Sequence, residues 1–101
     1  MKKTDDHLNV LRILDKKPKL AQRALAKQLN FSLGKLNYCL RALKGKGYIK
    51  IKNFANNKNK LVYRYLLTPK GIQQKTKLSL IFIKKKMKEY DELKKEIEKI
   101  K

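Results

Sequence analysis

Leu8, Leu11 and Leu14 recur three residues apart with Val10 beside them, which predicts a helix over residues 5–15. Asp5 and Asp6 suit its N-terminus, where carboxylates complement the helix dipole, and Pro18 ends it. Leu25, Ala26 and Leu29 give residues 22–29 one apolar face and a second helix, although Ala21 offers no side-chain cap. Asn30-Phe31-Ser32 joins it to a third. Asn tolerates the left-handed conformation that stops a helix, and Ser is a favoured N-cap for the next, so two helices meet across a tight turn.

In the third helix, residues 33–46, Leu33, Leu36, Leu40 and Leu43 fall within a stripe roughly 80° wide, predicted to face the core. The opposite side carries Gly34, Lys35, Tyr38, Arg41 and Ala42, with Asn37 and Lys44 on its flank. Cys39 falls at the border of the stripe, a half-buried position in this pattern.

Gly47 closes the third helix, and Tyr48-Ile49-Lys50-Ile51-Lys52 then alternates as a half-buried strand does. Asn56 to Lys60 is a turn-forming cluster, and residues 61–67 return as a second strand. Three helices followed by a hairpin describe a winged helix-turn-helix. The expected fold is therefore mainly α with a small β-hairpin. Residues 1–68 would be the head and residues 69–101 one long helix, opened by Thr68 as N-cap and Pro69 at the first position.

That last helix carries a seam. Leu80, Ile83, Met87, Tyr90, Leu93, Ile97 and Ile100 are spaced 3, 4, 3, 3, 4 and 3, a coiled-coil pattern with one irregular step. Such a helix runs about 50 Å, whereas a body of this size is only about 30 Å across. Its far turns cannot all pack on their own head. Self-association is the simplest cover for them, with a hetero-partner helix as the second choice.

Charge changes the picture from fold to partner. The 101 residues carry 28 Lys and Arg against 8 Asp and Glu, a net +20. From Lys16 to Lys88 there are 21 basic residues and no carboxylate. Codon bias toward Lys, Asn and Ile explains part of this, but Glu codons are equally AT-rich, so drift does not empty 73 positions of acid. A polyanion-facing surface does. A membrane surface fits less well, because the basic residues are not confined to one face of one amphipathic helix.

General acid–base and metal-assisted chemistry need carboxylates or histidines, and one His and one Cys build neither a triad nor a zinc site. No enzyme, metal or cofactor is expected. No apolar run approaches the ~18 residues of a membrane span, and no apolar segment behind Met1 to Asp6 suggests a secretory leader. A cytoplasmic location is expected.

The outer face of the third helix suits duplex DNA. Arg pairs bidentately with guanine and Asn with adenine, Lys and Tyr reach phosphates or bases, and Gly34 permits close approach. Candidate contacts are Gln22, Arg23, Ser32, Gly34, Lys35, Asn37, Tyr38, Arg41 and Lys44, with helix 32–46 in the major groove. Lys58, Asn59 and Lys60 of a wing at 53–61 would take the backbone or minor groove. Tyr48, Phe54, Tyr63 and Tyr65 suit cross-strand packing better than an RNA-stacking platform. For Cys39, a redox switch is less expected than plain packing.

The run Ser32-Leu33-Gly34-Lys35-Leu36-Asn37-Tyr38-Cys39-Leu40-Arg41-Ala42-Leu43 resembles the recognition helix of small MarR-type regulators associated with bacterial exopolysaccharide gene clusters. Asn53-Phe54, Asn59-Lys60, Tyr63-Arg64-Tyr65 and Leu67 to Ile72 are similar to the wing and following helix start of that group, and Gln22 to Ala26 to its second helix. The resemblance implies a cytoplasmic DNA-binding homodimer acting on polysaccharide biosynthesis genes. This chain is shorter than full-length MarR proteins, so no small-molecule effector is expected. Two other functions stay open on sequence alone: a non-specific nucleic-acid binder of chromatin or RNA type, and a winged-helix protein-interaction adaptor.

Overall fold

The computed structural model describes residues 3–18, 20–55 and 61–100. Its elements, in chain order, are α1 (Lys3–Lys16), α2 (Gln22–Leu29), α3 (Leu33–Gly45), β1 (Ile49–Ala55), β2 (Leu61–Leu67) and α4 (Pro69–Ile100). The two strands form one antiparallel hairpin. Three helices, a hairpin wing and a long C-terminal helix make a winged helix-turn-helix with an extension.

Both ends of the turn between α2 and α3 follow from local chemistry. Asn30 adopts φ 58°, and the N–H groups of Asn30 and Phe31 donate to the Lys27 and Ala26 carbonyls at 3.1 and 2.9 Å. This satisfies carbonyls that the helix end would otherwise orphan. Two residues later the Ser32 hydroxyl accepts from the Lys35 N–H at 3.1 Å and starts α3. Ala21 makes no side-chain cap hydrogen bond, so α2 begins without one.

The core gathers the apolar faces of three helices: Leu11 and Leu14 of α1, Leu25 and Ala26 of α2, and Leu36, Leu40 and Leu43 of α3, with Phe31 beneath the turn. Ile49 and Tyr65 close it from the hairpin. The register pairs Ile49 with Leu67 and Ile51 with Tyr65, leaving Lys50 and Lys52 exposed. The alternation read from sequence is thus the pleat of the wing.

One part of the α3 prediction fails. Leu33 is 46% exposed, while Cys39 is 3% exposed and belongs to the core. Taking Leu36 as the centre, Leu33 lies about 60° to one side and Cys39 about 60° to the other. The surrounding helices cover the Cys39 side. Leu33 is the first helical residue, and a side chain there leans toward the N-terminus, past the end of the core.

At the other end of α3, Gly47 adopts φ 77°, and the Gly47 and Tyr48 N–H groups donate to the Lys44 and Leu43 carbonyls. Thr68 then locks this corner to α4. Its hydroxyl donates to the Gly47 carbonyl at 2.6 Å and accepts from the Gly71 N–H at 3.0 Å. Gly71 is buried against Tyr48, and a Cβ there would collide with the Tyr48 carbonyl oxygen. An ion pair between Lys75 and Asp15 and the half-buried Leu78 bind the first turns of α4 to the head. Beyond these turns α4 leaves the head, and the molecule extends 65 × 26 × 20 Å.

Candidate nucleic-acid interface

The folded head turns one face of α3 outward. Gly34, Asn37, Tyr38, Arg41 and Lys44 are all exposed, and space is open around the Gly34 Cα. Taking Leu36 as reference, these five occupy an arc centred about 140° away, opposite the buried leucines. No carboxylate within residues 16–88 offsets their charge.

The groove beside this face joins α3 to the wing. A shallow cleft of about 200 Å³ is lined by Asn37, Leu40, Arg41 and Lys44 from α3 and by Ile51 and Tyr65 from the hairpin. Gln22, at the first position of α2, bridges both. Its amide nitrogen donates to Asn37 Oδ1, and its amide oxygen accepts from the Tyr65 hydroxyl at 3.4 Å. The Asn37 side chain is therefore tied to α2 and, through it, to β2. The pattern of the sequence singled out Gln22 and Asn37 but missed Tyr65, whose hydroxyl completes the chain. Its inward position on an alternating strand was the available signal.

Lys35 has a different setting. It lies on the flank toward α1, where its ammonium pairs with Asp6 at 3.3 Å and stands 4.3 Å from the Phe31 ring centroid. Asp6 is itself buried, so this pair holds the start of α3 against α1 as well as contributing charge. Asp6 was expected only to complement a helix dipole. Ser32 is spent on capping, and Arg23 stands exposed on α2. Lys58, Asn59 and Lys60 lie outside the described residues.

The seam residues also share one condition. Leu80, Ile83, Met87, Tyr90, Leu93, Ile97 and Ile100 are between 50% and 85% exposed. Among the described residues no helix is long and apolar enough to cross a membrane, and no three His, Cys, Asp or Glu side chains come together as metal ligands would.

Residues 7–50 match the family described as winged helix-turn-helix DNA-binding. The whole fold is similar to solved structures of transcription regulators. One is ZitR of Lactococcus lactis, a zinc-responsive MarR family member, with a TM-score of 0.66 and 26% identity over 92% of this chain and 60% of that one. ZitR in complex with DNA matches with a TM-score of 0.65 and 22% identity, over 92% of this chain and 61% of that one. MepR of Staphylococcus aureus, a regulator of the multidrug efflux pump MepA, matches with a TM-score of 0.64 and 20% identity, covering 95% of this chain and 76% of that one. This chain thus spans about 60% of the length of ZitR. No curated protein sequence matches it.

Proposed function

We propose that this chain is a MarR-type transcriptional regulator that binds double-stranded DNA with sequence specificity and acts as a homodimer in the cytoplasm. The observation that carries the proposal is the outward face of α3: an acid-free arc of Asn37, Tyr38, Arg41 and Lys44 around Gly34, on a helix locked at both ends. In the major groove, Arg41 and Asn37 read base edges, with Tyr38 beside them. Lys44, Lys35, Arg23, Gln22 and the Ser32 turn hold phosphates, and Lys58, Asn59 and Lys60 extend the contact from the wing. That ZitR has been solved with DNA supports the same use of the shared fold.

In this proposal residues 1–68 form the DNA-binding head, and residues 69–101 join two copies through the exposed seam. The targets are polysaccharide biosynthesis genes, on the likeness of the α3 run to regulators of such clusters. No metal, cofactor or small-molecule effector is part of the proposal.

Selection from a pool of random duplexes tests it. The protein should enrich one motif with two-fold symmetry, and Arg41→Ala should lose preference at one position of each half. A pool that stays random after selection would contradict specific recognition and favour general polyanion affinity.

A further inference from the structure

The irregular step in the α4 seam has a meaning that a simple heptad does not. Written from Tyr90 outward, the apolar residues lie 3, 7 and 10 positions away in both directions: Met87 and Leu93, Ile83 and Ile97, Leu80 and Ile100. The pattern is a palindrome centred on Tyr90. We infer that two copies of α4 pair antiparallel about a two-fold axis through Tyr90, each covering the other's seam. This deepens the self-association proposed above and rests on it.

A symmetric interface requires that if residue i meets residue j, then j meets i. Antiparallel pairing about Tyr90 meets that condition with apolar partners at every level. Met87 meets the partner's Leu93, Ile83 meets the partner's Ile97, and Leu80 meets the partner's Ile100. The step of three at Tyr90, which interrupts a heptad and locally overwinds a coil, becomes the centre of symmetry.

The surface is free for this use. Leu78, which packs on the head, lies about 160° around the helix from Leu80, so the head does not occupy the seam. A shallow, mostly apolar depression along the seam is lined by Phe82, Ile83, Lys86, Met87, Tyr90 and Asp91.

In the antiparallel pair the two α4 N-termini lie about 60 Å apart, since 21 residues separate Pro69 from Tyr90 in each copy. Half-site centres should accordingly be about two duplex turns apart rather than one.

The test uses the chain with Ile83→Cys and, separately, with Ile97→Cys. Both positions are exposed, so neither change opens the core. Oxidation of the mixed variants should give a disulfide between residue 83 of one and residue 97 of the other, distinguished by a mass tag, while each variant alone should stay unlinked. The unmodified chain, with Cys39 buried, is the blank.

Small-angle scattering of the unmodified protein gives a second readout. Tyr90 lies about 15 Å from the end of a 65 Å molecule, so the antiparallel dimer should measure about 100 Å. Links within each variant alone, or a dimer mass with a length near 65 Å, would overturn the orientation and leave DNA binding untouched. A monomer mass at ~100 µM would overturn the orientation and self-association together.

Discussion

The head and α4 from Leu80 outward are both rich in Leu and Ile, yet they use them differently. In the head, Leu11, Leu25, Leu36 and Leu43 are buried against one another, and the exposed charge is predominantly positive. In α4 from Leu80 outward, Leu80, Ile83, Leu93 and Ile97 stay outside, and charges of both signs appear among them. A face that closes within one chain leaves charge as its means of recognition. A face that does not close leaves apolar area, which asks for a partner of the same kind. In the proposed function the two regions address different partners: a polyanion for the head, a second copy for the helix.

The contrast breaks most sharply at Leu36. Leu36→Ala should cost about 2–5 kcal/mol of stability, read by urea denaturation, because it opens a cavity in the shared core. Leu93→Ala should leave the melting of the head unchanged and weaken the dimer instead, read as a mass that falls on dilution. Equal effects of the two on denaturation would erase the distinction between the regions.

Smaller effects sharpen it. Gly71→Ala should destabilise by about 1–3 kcal/mol in the same melts, since the added methyl must displace the Tyr48 carbonyl or α4 itself. Arg41→Ala should lose about 1–3 kcal/mol of binding on the preferred duplex and far less on random duplex, with the fold unchanged by circular dichroism. Ser32→Ala should lower stability by about 1 kcal/mol, because the Lys35 N–H loses its acceptor. The smallest is Lys60→Ala, which should weaken all sequences alike and reduce the salt slope of binding by about 1.

Much of this was legible in the chain because local rules and the global fold agree. Asn30, Ser32 and Gly47 each mark a helix end by conformation or capping, and the structure uses all three so. The alternation at 48–52 and the Thr68-Pro69 start of α4 are equally local signals. What escaped depends on neighbours distant in sequence. Whether Leu33 or Cys39 enters the core depends on which side of α3 the other helices cover, and a wheel of one helix does not contain that. Likewise Asp6 meets Lys35 across 29 positions and Tyr65 meets Gln22 across 43. Gly71 stood in plain view, but its need for a bare Cα comes from Tyr48 on another element.

The most direct test of the central claim is fluorescence anisotropy at two salt concentrations. The protein would be titrated onto its selected duplex, a scrambled duplex of the same composition and a single-stranded RNA. Specific reading by α3 predicts a preference of ~10³-fold or more for the selected duplex, retained as salt weakens all three. Equal affinity for the three, falling steeply together with salt, would contradict it and reduce the +20 charge to general attraction for nucleic acid.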